Sequence, residues 1–299
     1  MESYIEDKKN LYTTILKFLE ESDEDNDEES KKETIQEIIK DQQIEGDVEE
    51  MRQFLEIVKS IGEHHHRDQH FNERMNQLLI QYKEQIKQTM SNVSIFHLFA
   101  DNKFLVRLLL KNDIITMTDT ICSEILTKQE LNGNYYCYFF YRELEKFLGE
   151  EKIQDVKNEL LDIDPNVFDN YEEKCDEGEN NSFICSLIRK DSVEEFIVYI
   201  NRNNISISAN IAPSIFETNS FLISQKNISL IEYSAFFGSI QIFQYLKMNG
   251  AVLTPSLWLH AIHSKNAELF HILESDNANP NSDDSDNEYL SYFIESIKC

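Results

Sequence analysis

Glycine and proline are scarce in this chain of 299 residues: seven and four, where average composition would give roughly 20 and 15. Turn-rich β architectures depend on those two residues, so their scarcity predicts helices joined by short polar loops. Positive charge is short as well. Lys and Arg total 28 against 55 Asp and Glu, for a net charge of −27. A field of that sign repels phosphate backbones and anionic headgroups, which argues against nucleic acid or a membrane surface as partner. No stretch approaches the ~18 consecutive apolar residues of a membrane span. The first residues, Met1-Glu2-Ser3-Tyr4-Ile5-Glu6-Asp7, lack the basic region and apolar run of a signal peptide. The five cysteines are odd in number, widely spaced and never arranged C-x-x-C. Reduced structural thiols in a cytoplasmic or otherwise intracellular protein have that pattern.

What is present is material for a core, with 41 % hydrophobic and 11 % aromatic residues. Tyr12, Ile15, Phe18 and Leu19 recur at helical spacing and predict a first helix. After it, seven of the ten residues Glu21–Ser30 are acidic, a run that repels itself and reads as a solvated loop. Residues 1–60 carry 19 acids and 8 bases, a net of −11. Met51, Phe54, Leu55, Val58 and Ile61 form the next apolar stripe, and Met75, Leu78, Leu79, Tyr82 and Ile86 another. A further helix is expected over about Phe104–Leu110, and the aromatic run Tyr135–Tyr141 leads into a stripe of Leu144, Phe147 and Leu148. Residues 170–181 are polar and aperiodic, so a boundary is placed there. The division expected is an acidic helical region at 1–93, a helical region at 94–180 and a repeat domain at 181–299.

Internal similarity carries the most weight. The window Gly238–Leu246 aligns with Lys265–Leu273, with Asp191–Tyr199 and with Asp101–Leu109. Phe243, Phe270 and Phe196 coincide in the first three. In the fourth, Leu105, Val106 and Leu109 fall on Ile242, Phe243 and Leu246, and Lys111-Asn112-Asp113 falls under Met248-Asn249-Gly250. Four related windows predict a stacked helical array.

The stretch Ser229-Leu230-Ile231-Glu232-Tyr233-Ser234-Ala235-Phe236-Phe237-Gly238 resembles an ankyrin repeat, with further matches at Ile242, Phe243, Leu246, Gly250 and Ala251. Small Ser234 and Ala235 suit close helix approach, and Gly238 and Gly250 suit left-handed turns. A closer resemblance covers 181–274, through Phe183–Phe196, Pro213–Ser220 and Leu230–Leu273. These phrases resemble the domain of unknown function that accompanies ankyrin repeats in a large trichomonad protein family, and 95–180 resembles the region preceding it. The resemblance implies fold and no chemistry. The acidic run near Glu21 and the Ser275–Glu288 loop look like embellishments. Tyr289–Lys298 reads as the first helix of another repeat that Cys299 cuts short, too apolar for a solvent-facing cap, so either the chain is shorter than its parent architecture or a partner covers it.

Chemistry is harder to find. His66 and His70 stand four apart in His64-His65-His66-Arg67-Asp68-Gln69-His70, a zinc-compatible spacing without the H-E-x-x-H pattern, and the segment reads as polar interhelix chain. Asp23, Asp25 and Asp27 alternate like calcium ligands, but Glu28 and Thr34 stand where such a loop needs Gly and Glu. No phosphate-binding or nucleophile-elbow motif occurs. Cys185 and Cys137 lie in apolar or aromatic company and read as core, as does the sole tryptophan, Trp258. Ser22, Ser282 and Ser285 precede acids, as acid-directed kinases prefer.

The expected fold is therefore all-α: a helical N-terminal region followed by an irregular ankyrin-like helical solenoid. The expected function is a non-catalytic intracellular protein-interaction scaffold with no cofactor or metal, and the net charge favours a basic or mixed-charge protein partner. A substrate adaptor recruiting a client to an enzyme such as a ubiquitin ligase is the alternative, ahead of a zinc- or cysteine-dependent enzyme. By register, Phe236 and His263 are the expected partner-binding residues on a concave face, although Phe236 suits burial between repeats equally well. The Arg202–Asn227 insertion either shapes a pocket or plugs the array.

Overall fold

In a computed structural model, residues 2–20, 47–64, 69–129 and 136–276 are described. Their regular structure is helical, with no β-strand among the described residues. The acidic run 21–30, His65–Asp68, Ser282, Ser285 and Tyr289–Cys299 lie outside them. The chain divides into two compact units, passing from one to the other at Tyr171–Glu172.

The first unit follows its apolar stripes. Helices α1 (Glu2–Glu20), α2 (Val48–His64) and α3 (Gln69–Gln81) bury Ile15, Phe18 and Leu19, then Met51 through Ile61, then Met75, Leu78 and Leu79. The stripe that runs on to Ile86 is broken at Tyr82, where α4 (Lys83–Thr89) begins. Next come α5 (Asn92–Phe99), α6 (Lys103–Lys111), α7 (Asp119–Thr127), α8 (Tyr136–Phe139), α9 (Tyr141–Leu148) and α10 (Gln154–Ile163). All four α8 residues are buried, but in α9 Leu144 is sealed while Phe147 is exposed, so that stripe is narrower than its spacing predicts. This core also holds charge. Arg74 Nη1 donates to the Phe18 carbonyl at 2.6 Å, Lys103 stands 5.3 Å from the Phe139 ring, and Arg107 is ion-paired to Glu143.

The second unit opens within the polar segment 170–181, in a short helix, α11 (Tyr171–Glu177), whose Cys175 is buried. Three helix pairs follow: α12 (Phe183–Arg189) with α13 (Val193–Arg202), α15 (Leu230–Phe237) with α16 (Ile240–Met248), and α17 (Leu257–Ser264) with α18 (Ala267–Ser275). A one-turn helix, α14 (Ser220–Ser224), lies in the long connection before α15. First helices pack on first helices, α12 on α15 and α15 on α17, and α13 packs on α16.

The turns explain why the pairs repeat. The residue ending each first helix is left-handed in all three: Asp191 at φ 48°, Gly238 at 67° and Lys265 at 50°. The next residue (Ser192, Ser239 or Asn266) is the N-cap of the second helix, and in the first unit Asn102 holds the aligned position at the start of α6. After the second helix the chain is left-handed again at Asp113, Asn204 and Gly250. Neighbouring turns also bond to each other. The Asp191 carboxylate accepts the Gln241 and Ile242 amides, both at 3.0 Å, and so caps the α16 N-terminus from the preceding pair. Ser239 Oγ donates to the Ile188 carbonyl at 2.6 Å.

Candidate functional site

Helix α15 is buried along most of its surface. Leu230, Ile231, Tyr233, Ser234, Ala235 and Phe236 are all buried, while Glu232 and Phe237 are half-buried. Residues 203–228 seal it. Their base is pinned beside the α15 N-terminus, where Ile211 N donates to Ile228 O at 2.7 Å and Leu230 N to Ala209 O at 3.1 Å. Their middle is held by Glu217, 7 % exposed, whose carboxylate accepts the amides of Asn180, Thr218 and Asn219. Asn219 in turn caps α14, accepting the Leu222 amide at 3.2 Å. That turn of helix sets Phe221 over the first helices, nearly parallel to Phe236 at 5.7 Å and 4.3 Å from His263.

This arrangement corrects the expectation for Phe236 and His263. They are adjacent, with ring centroids 4.9 Å apart, but only 1 % and 2 % exposed. Both lie beneath Phe221 of the insertion and so are not exposed to a partner in this structure. The insertion covers these rings and also lines a small cavity.

Beside them stands His260, 3 % exposed. Its Nδ1 lies 2.9 Å from the Ser256 carbonyl. A carbonyl only accepts, so Nδ1 carries the proton and Nε2 presents a bare lone pair. Nε2 is buried without a hydrogen-bond partner, a defect worth about 1–3 kcal/mol. Burial holds the imidazole below its usual pKa, although the Ser256 carbonyl and the Glu232 carboxylate pull the other way. Glu232 ties the two first helices together. Its Oε2 accepts from Ser229 N and Ser229 Oγ in a capping box on α15, and its Oε1 accepts from Ser256 Oγ at 2.7 Å. Burial pushes this carboxyl up, but those donors outweigh it and leave its pKa lowered.

A second polar group lies below the insertion. Arg189 is ion-paired to Glu179 and donates to the Asn180 carbonyl at 2.8 Å and to Tyr233 Oη at 3.0 Å. A cavity of about 40 Å³ lies alongside, lined in part by Asn180, Ser214, Glu217 and Tyr233. That is room for a few waters at about 10–15 Å³ each, not for a substrate-sized ligand of about 300 Å³ or more. Burial pushes the nearby Cys185 thiol up to about 11, and Cys137 in the first unit up to about 12. Thiols so shifted stay protonated at neutral pH and are poor nucleophiles.

No protein-family model matches the chain, and no curated protein or solved structure matches it either. The site therefore rests on its own geometry.

The exposed apolar side chains of the second unit lie elsewhere. Met248 at the α16 C-terminus is 77 % exposed and Val252 just beyond it 73 %. Val198 on α13 is 65 % exposed. Trp258 is half-buried, its ring 5.8 Å from Phe270. Among the described residues, no group of three or more His, Cys, Asp and Glu side chains is placed to hold a metal. Sequence reasoning passed over Phe221, Glu217 and His260. The signal available was the insertion's own composition, since Ile205, Ile207, Ile211, Phe216, Phe221 and Leu222 are too apolar to stay in water.

Proposed function

We propose that this chain is a non-catalytic protein-interaction module whose second half is an irregular ankyrin-like array, akin to the trichomonad family its sequence resembles. The observation that carries the reading is one turn, a left-handed residue followed by an N-cap, recurring at Asp191–Ser192, Gly238–Ser239 and Lys265–Asn266 between helices that pack in series. Such arrays contribute extended surfaces and depend on no single site. The protonated thiols and the water-sized cavity support recognition over catalysis. With α15 roofed, recognition falls to the array's outer edge, and Met248 and Val252 are its most exposed apolar side chains there. A net charge of −27 favours a basic protein partner and salt-sensitive association.

A photo-crosslinking residue at Val252, with another at buried Phe243 as control, tests this in lysate of the cells that make the protein. The expected result is a discrete adduct from Val252 that is competed by untagged chain, weakened by salt and lost with Met248→Asp. No competable adduct from Val252, or identical adducts from both positions, overturns the assignment.

A further inference from the structure

Phe221 reaches from α14 onto rings of two helices: Phe236 on α15, nearly parallel, and His260 and His263 on α17 at 5.1 and 4.3 Å. Phe221 is itself half-buried, whereas the three rings beneath it are sealed. The fit is incomplete in one respect. A phenyl ring offers no polar hydrogen, and the buried His260 Nε2, a bare acceptor, has no donor. The seat therefore matches an aromatic ring bearing an N–H better than it matches its resident phenyl. Among side chains that is the indole of tryptophan, whose nitrogen only donates.

The part of the insertion that carries Phe221 is short, and it also buries Leu222. It is pinned at one end by Glu217 and at the other by the Ile211–Ile228 bond. The five-residue helix between these points is followed by exposed Lys226 and Asn227. Lifting α14 uncovers Phe236, His260 and His263 without breaking a bond between the helix pairs.

We propose that α14 is an intramolecular occupant of a recognition groove on α15 and α17, displaced by a tryptophan-bearing basic segment of a protein partner. The tryptophan takes the place of Phe221 and donates to His260 Nε2, and its basic flanks answer the chain's net charge of −27. This rests on the interaction-module reading and adds a second, latent surface to it.

The test uses the full chain and a labelled peptide, Lys-Ala-Lys-Trp-Lys-Ala-Lys, with versions carrying Phe or Ala in place of Trp. The Ala peptide measures plain charge attraction. Removing the resident ring with Phe221→Ala is expected to tighten the Trp peptide at least about tenfold over wild type, since an internal competitor lowers apparent affinity by the fraction of time it is bound. The Trp peptide is expected to bind several-fold tighter than the Phe peptide, and adding His260→Leu is expected to erase that preference. Should Phe221→Ala fail to fold by circular dichroism, Phe221→Leu replaces it, with indole and its N–H-free isostere benzofuran as additional probes. Equal affinity of wild type and the Phe221 variant, or a preference for Trp that survives loss of His260, overturns the proposal. Either result leaves the Val252 and Met248 assignment to its own crosslinking test.

Discussion

The two units of the chain bury polar groups in different ways. The first encloses full charges in its core: Arg74 on a helix-end carbonyl, Lys103 against an aromatic ring and Arg107 against Glu143. The second places charges at turns and caps as well, with Asp191 on the α16 N-terminus and Glu232 bridging Ser229 and Ser256, and burial holds the pKa of its enclosed His260 down. Charges enclosed in a core are costly to leave without a partner, whereas Asp191 and Glu232 are only part-buried. Loss of a partner is therefore expected to cost the first unit more than loss of a turn costs the second.

The largest effect is expected from Arg107→Met. It takes the Arg107 guanidinium away from the Glu143 carboxylate, whose side chain is 14 % exposed, at a cost of about 3–5 kcal/mol in urea unfolding. Adding Glu143→Leu is expected to recover most of it. A single variant within 1 kcal/mol of wild type would erase the contrast between the units. Next comes Gly238→Ala, which forces a side chain into φ 67° and brings a Cβ within 3.3 Å of Ser264 Cβ. About 1–2 kcal/mol is expected to be lost. The aligned turn supplies the reciprocal change. Lys265 at φ 50° already bears the left-handed strain. Lys265→Gly is expected to gain roughly 0.5 kcal/mol, the relieved strain less the freedom glycine adds to the unfolded chain.

The last test is the pH dependence contributed by His260. Its folded pKa is lowered from 6.5, so below that value the unfolded chain binds a proton that the folded chain refuses. Stability is expected to fall as pH drops through 6.5, and His260→Leu is expected to flatten that slope. An unchanged slope would mean the imidazole is more accessible than its surroundings imply.

Much of this architecture was legible in the sequence, for uneven reasons. The stripes Met51–Ile61 and Met75–Ile86 announce helices because one buried face imposes a period of 3.6 residues. The repeat register was legible because the turn residues Asp191, Gly238 and Lys265 answer one local need and so recur at matching positions. Tyr289–Lys298 and the His64–Asp68 part of the histidine run were legible only as pattern and lie wholly or mainly outside the described residues. The site was not legible. Whether Phe236 faces solvent or a neighbour depends on where the aperiodic residues 203–228 go, and that path is set by tertiary bonds such as Glu217 to the Asn180 amide, which leave no periodic trace. His260 differs from any helical histidine only through the carbonyl it meets and the ring above it.

The sealing of α15 bears on how the chain leaves the ribosome. Phe221 is synthesised before every ring it covers, and its partners on α17 come two helices after Phe236. Until α17 has emerged, the roof lacks part of its seat and the α15 face that packs on α17 stands open to solvent. The nascent second unit thus passes through an interval in which its most hydrophobic helix needs shielding from other chains, and slower elongation over the codons for α16 and α17 lengthens that interval.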